Sequence, residues 1–509
     1  MSAATQVRPI DLQGLDLESF RGRPVAVLGL ARSGIALTRF LADRGARVTT
    51  YDARPAERLG EAIAALVERP VRLLLGPDVD PVEALSGQSL ICTSPSISSR
   101  YPTTEPRLRR SLGRLESEGR VPVVSEIDLF LRLCPAFTVG VTGTKGKTTT
   151  SSLIAALLAA GPEPVLLGGN IGLPLVERLP ELKASHRVVL EISELQLPTL
   201  SRGTDVAVYT HVTADHLDRH GSLEEYRAIK RRLAELLPAG GAMVLNAEDP
   251  VTAGYAASIP AGTAVVRYRR QAPRPGELGL VGGWIVAREV APLPGAGSDK
   301  VSPAAGGRLM RVAELAIPGE HNISNALAAA AVGVLLGIPA DSLRQAMRAF
   351  TGVEHRLEPV ATIDGVRWVN DSQGTQPDAV IAALRSFPRP LVLIAGGRSK
   401  KLPLEELATV AAQRADAAVL IGESGPELAA LLGSAGVRRL ASAADLTEAV
   451  AVADEIARSL LVEGVPGPAT VLLSPAATSF DMFEDYAARG RAFKAAVAQL
   501  AESQRRGKR

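Results

Sequence analysis

Phe137-Thr-Val-Gly-Val141-Thr-Gly143-Thr-Lys-Gly146-Lys147-Thr148-Thr149 joins an apolar run to a glycine turn and then to a helical stretch, Ser151 to Ala160. A strand that ends in glycines and opens a helix can turn its backbone N–H groups inward, and the helix N-terminus adds partial positive charge, so the loop suits a phosphate. Lys147 has the place of the cation that bridges outer phosphates and Thr148 that of the hydroxyl that holds Mg²⁺. Gly143, Thr144, Lys145, Gly146 and Thr149 complete the cradle. The spacing is not the common G-x-x-x-x-G-K-[ST] form, because Gly143 to Gly146 is shorter and Val141 stands where that form has glycine. A glycine-rich turn with an incidental lysine would need strand, loop and helix to coincide by accident.

Outward from this loop, further strand candidates are Arg187 to Ile192, Asp205 to Thr210 and Ala242 to Asn246, each ending near polar residues. Apolar runs alternating with helical periodicity build parallel sheets covered by helices, whose chemistry gathers at the carboxyl ends of the strands. Between Arg267 and Arg311 the chain is rich in Pro and Gly and reads as an edge hairpin or surface excursion.

Before the loop lies one βαβ unit: Pro24-Val-Ala-Val-Leu28, a turn through Gly29 to Gly34, a helix to Asp43, and Arg47-Val-Thr-Thr-Tyr51 before Asp52. Its turn lacks the middle glycine of G-x-G-x-x-G, where Ala31 sits, so a nicotinamide pyrophosphate would approach less closely. Asp52 is placed to bond a ribose, and a purely structural unit satisfies the same pattern. From about His355 a third block repeats strand and helix, at Val366 to Val369, Leu391 to Ala395, Ala418 to Ile421 and Ala469 to Leu473. It is dinucleotide-fold-like without an early glycine fingerprint.

Composition agrees with this organisation. A chain of 509 residues is too long for one core and implies about three domains. Aromatics are only 4%, so Ala, Leu and Val must fill the interiors, which favours helices on buried parallel strands. The 57 basic and 54 acidic residues nearly cancel, leaving no large field for a nucleic acid or an anionic membrane. The basic end, Arg505 to Arg509, reads as a solvated tail. Two cysteines, Cys92 and Cys134, rule out a disulfide framework and suit a reducing compartment. No basic-then-apolar leader is present, so a cytoplasmic protein is expected. The uncharged run Ala326 to Ala340 is shorter than the ~18–20 residues of a membrane span and reads as a buried helix.

A series of short motifs remains: Gly168-Gly-Asn170-Ile-Gly172, Leu190-Glu191-Ile-Ser193, Thr213-Ala-Asp-His216-Leu-Asp-Arg219, Tyr226-Arg-Ala-Ile-Lys230, Gly319-Glu-His-Asn322-Ile-Ser-Asn325, His355-Arg356, Asn370-Asp371-Ser372, and Ser474-Pro-Ala-Ala-Thr-Ser479-Phe-Asp-Met-Phe-Glu-Asp-Tyr486-Ala-Ala-Arg489-Gly. Singly, each has an ordinary reading, such as a helix cap for Asn325 or a solvated surface charge for Lys230 and Arg356. In this order, over nearly the whole chain, the series resembles the Mur ligases of bacterial cell-wall synthesis. Its last stretch is similar to the branch that adds D-glutamate to UDP-N-acetylmuramoyl-L-alanine.

The resemblance implies a three-domain α/β ligase: a Rossmann-like uridine-nucleotide domain at 1–135, a central phosphate-loop ATPase domain at 136–352, and a C-terminal domain at 353–509 that closes over the site. It implies ATP and two Mg²⁺ ions, a monomer, and an acyl-phosphate route from a carboxylate to an amide. Lys147 would contact ATP phosphates, and Thr148, Glu191 and His216 would gather metal. Lys230 would be carbamylated by CO₂, since an unmodified ammonium repels a cation that wants oxygen ligands. Asn325, Arg356 and Asp371 would meet the nucleotide. Ala31, Arg32, Ser33, Asp52, Arg54, Ser94 and Asn170 would meet the sugar nucleotide, although Ser96 stands where the family has glycine. Thr375, Lys400, Ser479, Phe480 and Tyr486 would hold glutamate. Gln373 departs from the family, where a lysine commonly follows Asn-Asp-Ser; Arg398 or Lys401 would have to supply that charge. Two other readings fit parts of the pattern: an L-glutamate-adding ligase of the same family, and a nucleotide-dependent switch, against which stands the lack of a guanine-reading Asn-Lys-x-Asp.

Overall fold

The computed structural model describes residues 7–172, 174–213, 222–294, 307–317, 319–399, 402–462 and 467–507. Three sheets follow one another along these residues. The first holds β1 (Pro24–Leu28), β2 (Arg47–Asp52), β3 (Arg72–Leu75), β4 (Leu90–Thr93) and β5 (Val123–Ser125), in the order β3-β2-β1-β4-β5 and all parallel. That order reverses direction between β1 and β4, so the crevice at their carboxyl ends is where a nucleotide would enter such a sheet. The helix Arg32–Asp43 packs tightly on β1 because Gly34 carries no side chain: a Cβ there would sit 1.7 Å from the Gly29 carbonyl oxygen. Backbone cannot yield as a side chain can, so Gly34→Ala is expected to destabilise the protein by about 1–3 kcal/mol. Urea unfolding would read this as a lower midpoint, and an unchanged midpoint would mean that the helix slides freely.

The second sheet contains β6 (Phe137–Thr142), β7 (Val165–Gly169), β8 (Arg187–Glu191), β9 (Val206–Tyr209), β10 (Ala242–Asn246), β11 (Ala264–Tyr268), β12 (Glu277–Val281), β13 (Trp284–Arg288) and β14 (Arg308–Arg311). Its order is β14-β13-β12-β11-β10-β9-β6-β8-β7. The strands from β7 to β12 are parallel, and β13 and β14 close the far edge antiparallel. The Pro- and Gly-rich segment is therefore an edge hairpin with a further strand, as expected, with 295–306 outside the described residues.

The uncharged run near Ala326 differs from expectation in one respect. The helix Glu320–Leu335 is buried, but it stops there and a second helix, Ala340–Ala349, begins. Gly337 takes φ +71° and Ile338 N–H reaches back to the Gly333 carbonyl, a glycine helix stop, with Pro339 just beyond.

The third sheet holds β15 (Glu358–Ile363), β16 (Val366–Asn370), β17 (Leu391–Gly396), β18 (Ala417–Ile421), β19 (Arg439–Ser442) and β20 (Ala469–Leu473), in the order β15-β16-β20-β17-β18-β19. All but β15 run parallel. Read from β17 the order is that of a doubly wound sheet, with the last strand inserted beside β16. Apolar clusters cover both faces, one around Leu393, Leu420 and Leu428 and the other around Trp368, Ile394 and Phe493.

The chain divides into two compact units, residues 1–315 with 320–349, and residues 316–319 with 350–509. The first two sheets belong to one unit because they share a core: Val25, Phe40 and Phe130 pack in the same cluster as Val188, Tyr209 and Leu233. Polar bonds lace the seam. Tyr101 OH donates to the Leu195 carbonyl at 2.7 Å, Thr199 Oγ1 to Ser125 Oγ at 2.7 Å, and the Ser201 N–H to Asp128 at 2.7 Å.

Candidate active site

The glycine loop does what its residues require. Gly143 and Gly146 have φ of +148° and +87°, conformations that a side chain resists, and a Cβ on Gly146 would press on Asn325 Oδ1 at 2.5 Å. The helix Lys147–Leu158 starts at the loop with no side-chain cap, so its first N–H groups are left for an acceptor. Lys147 Nζ donates to the carbonyls of Gly143 and Thr144 at 3.1 and 3.0 Å, folding the ammonium back over the cradle. Asn325, on the helix Glu320–Leu335, accepts from Thr150 Oγ1 at 3.2 Å and donates to Asn322 at 2.9 Å.

Glu191 ends β8 beside this loop and is 2% exposed. Thr148 Oγ1 donates to one carboxylate oxygen at 2.7 Å and Asn170 Nδ2 to the other at 2.8 Å. Three motifs separated by 43 residues of chain thus meet on one carboxylate. A hard divalent cation wants oxygen donors, and the Thr148 hydroxyl and Glu191 carboxylate supply that chemistry side by side. His216 lies outside the described residues; among those described, no group of three His, Cys, Asp or Glu residues is arranged to hold a metal.

Lys230 does not sit on a solvated helix face. It is fully buried, with Nζ 3.4 Å from Thr142 Oγ1, 3.9 Å from Glu194 Oε2 and 5.4 Å from the centre of the Tyr226 ring. Tyr226 OH in turn meets Thr144 Oγ1 at 2.9 Å, so Lys230 is connected to the loop through a single aromatic residue.

At the first sheet, Asp52 accepts from the Leu30 N–H at 2.8 Å, from the Arg54 N–H at 2.9 Å, and from the Arg54 guanidinium at 3.0 and 2.8 Å. Burial pushes the Asp52 carboxyl up, but the bonds from Arg54 and the two backbone N–H groups outweigh it and hold the group below its ordinary value. Ala31 begins the helix that carries the exposed Arg32 and the half-buried Ser33. Ser94 Oγ donates to the Gly29 carbonyl at 3.3 Å, closing the crevice from β4. Ala31 to Ser33, Asp52, Arg54 and Ser94 therefore all border the point where this sheet's strand order reverses.

In the second unit, Asp371 is 4% exposed and accepts from Ser474 Oγ at 2.6 Å and from the Leu357 N–H at 3.1 Å. Burial pushes its carboxyl up to about 6, against the pull of Ser474, Leu357 and Arg356. Arg356 is bracketed by two left-handed residues, His355 at φ +64° and Leu357 at +45°, a strained turn of the kind found at ligand clamps. Arg489 is 1% exposed and donates to Ser372 Oγ and the Ser372 carbonyl, both at 2.9 Å, and to the Ala477 carbonyl at 3.3 Å. This guanidinium, pushed down to about 10 by burial, ties the Asn370 to Thr375 loop to the stretch bearing Ser479. Ser479 is buried, while Phe480 is 61% and Tyr486 41% exposed. Gln373 Oε1 is buried without a partner. Arg398 is half exposed and bonded to Glu423 at 3.0 and 3.1 Å; Lys400 and Lys401 lie outside the described residues.

Sequence reasoning missed Thr142, Glu194, Tyr226 and Ser474 as site residues. Tyr226 carried a signal, since it is four residues before Lys230 and shares its helix face. Thr142 and Ser474 gave none beyond their presence inside quoted motifs.

Two family models match the chain: the Mur ligase middle domain over residues 141–333 and the Mur ligase, glutamate ligase domain over 355–476. A UDP-N-acetylmuramoylalanine–D-glutamate ligase of Symbiobacterium thermophilum is 39% identical over 93% of this chain and 98% of its own. Another of that name from Pelotomaculum thermopropionicum is 37% identical over 95% of this chain and 99% of its own. The solved UDP-N-acetylmuramate–alanine ligase of Thermotoga maritima, 18% identical, shares the fold at a TM-score of 0.53 over 94% of this chain and all of its own. Motifs in family order, two matched domains and relatives aligned nearly end to end lead to one conclusion: the chain belongs to the Mur ligase family and is a ligase.

Proposed function

We propose that the chain joins D-glutamate to UDP-N-acetylmuramoyl-L-alanine at the expense of ATP. The observation that carries this reading is the shared hold of Thr148 and Asn170 on Glu191, because it brings the phosphate loop and a substrate-side amide to one carboxylate. Relatives at 37% and 39% identity bear the name of that reaction.

A carboxylate is a poor electrophile, so the γ-phosphoryl group of ATP first passes to an oxygen of the alanyl carboxylate, with ADP leaving. The amine of glutamate then attacks the acyl carbon, phosphate departs, and the nitrogen loses a proton. Such transfers need positioning and charge neutralisation more than covalent help. In this reading Lys147 and the N–H groups of Gly143 to Thr149 hold the polyphosphate, and Asn325, Arg356 and Asp371 hold the rest of the nucleotide. Thr148, Glu191, His216 and a carbamylated Lys230 would hold two Mg²⁺ ions, which supply neutralisation of phosphate charge when bound. Ala31, Arg32, Ser33, Asp52, Arg54, Ser94 and Asn170 orient the sugar nucleotide. Thr375, Lys400, Ser479, Phe480 and Tyr486 receive glutamate. We assign these tasks to segments 1–135, 136–352 and 353–509, in a cytoplasmic monomer.

Product analysis with ATP, magnesium, UDP-N-acetylmuramoyl-L-alanine and each glutamate enantiomer separately tests the reading. The expected result is one amide product and phosphate release only with D-glutamate. Product with L-glutamate alone would transfer the assignment to the other enantiomer, and phosphate release that ignores both acceptors would favour a nucleotide switch.

A further inference from the structure

The end of β9 is stitched to the phosphate loop residue by residue. Thr144 N–H donates to the His211 carbonyl at 2.6 Å, Thr210 Oγ1 to the Lys145 carbonyl at 2.7 Å, and the Thr213 N–H to Thr144 Oγ1 at 3.0 Å. Lys145 and His211 form an antiparallel bridge, and residues so paired carry their side chains on the same face. The imidazole of His211 thus projects beside the loop's exposed lysine, and it is 51% exposed. Its Nδ1 lies 3.2 Å from Asp249 Oδ2, a carboxylate only 2% exposed that also accepts from the Val212 and Val251 N–H groups.

That arrangement limits what the ring can do. With Nδ1–H given to Asp249, Nε2 of a neutral ring is an acceptor and repels a phosphate oxygen; only the imidazolium can donate from both nitrogens. The bond to Asp249 raises the His211 pKa, burial opposing. Among the described residues Asp249 is the charged group acting on the ring, and Lys145 is the cation across the bridge.

We propose that His211 is an additional polyphosphate-binding residue of the nucleotide site, donating from Nε2 to a phosphate oxygen of ATP while Asp249 positions the ring. The proposal rests on the loop being an ATP site, as read above. The bond to Asp249 raises the pKa of the ring in the folded protein, so the extra hold on ATP is present while the ring is protonated and disappears as pH climbs through that raised value.

The test is calorimetric titration of the full-length protein with ATP and excess magnesium, wild type against His211→Gln, at pH 6.5 and pH 9. ATP's own ionisation is common to both proteins, so the ratio of their affinities is the readout. The variant is expected to bind about 3–10-fold more weakly at the lower pH, the effect of one partly screened charge-assisted contact, and equally at the higher. A ratio near one at both values, or a ratio that does not change with pH, overturns the proposal. No ATP uptake by the wild type would instead remove the reading on which it rests.

Discussion

Lys147→Ala is expected to lower ligation turnover by about 10²–10³-fold, the usual loss when one preorganised donor to developing charge is removed. The ammonium already lies over the loop, bonded to the Gly143 and Thr144 carbonyls, so little reorganisation is needed when phosphate arrives to compete for it. Because Lys147 is half-buried and those carbonyls can turn to water, the fold should survive the change. Steady-state kinetics on the variant, with a circular dichroism spectrum to show that it is folded, checks this. Turnover within a few-fold of wild type would refute the loop assignment.

The second large effect is expected at Lys230. Its side chain is fully buried, with Nζ 3.4 Å from the Thr142 hydroxyl, 3.9 Å from the Glu194 carboxylate and over the Tyr226 ring, so a change of charge on this nitrogen is felt at low dielectric. A carbamate on that nitrogen, the modification implied by the family resemblance, would replace the cation by an anion with oxygen donors of the kind a hard divalent cation takes. Lys230→Ala should therefore abolish measurable ligation, and a small carboxylic acid such as acetate should restore part of it by standing in for the lost anion. Both halves matter, since removal of any buried side chain can inactivate, while rescue by an acid is specific to a missing carboxylate. A fully active variant, or an inactive but folded one that no acid rescues, would dispose of the carbamate.

Much of this arrangement was legible in the residues. The strand at Phe137, the glycines at 143 and 146 and the helix after them stand where the pattern put them, because apolar runs and positive-φ glycines are local signals. The strands named from the sequence in each block are likewise close to their expected limits, whereas β3, β4, β5, β7, β11, β15 and β19, short or at or near sheet edges, are not read from it. What local pattern does not carry is the insertion of β20 between β16 and β17, or the merging of the first two sheets around one core, since both depend on contacts far apart in sequence. Lys230 shows the same limit in a single residue. Its helix is polar enough to read as solvated, and only the placement of Thr142, Glu194 and Tyr226 around it reveals burial.

The seam laced by Tyr101, Ser125 and Asp128 has a practical consequence for inhibitor design. The Gly29 crevice and the Gly143 cradle belong to one compact unit with a shared apolar core, so changing the separation between them would open that core. A two-headed compound with a stiff tether cut to that separation would sacrifice little conformational freedom on docking, whereas a floppy tether would give up affinity for nothing.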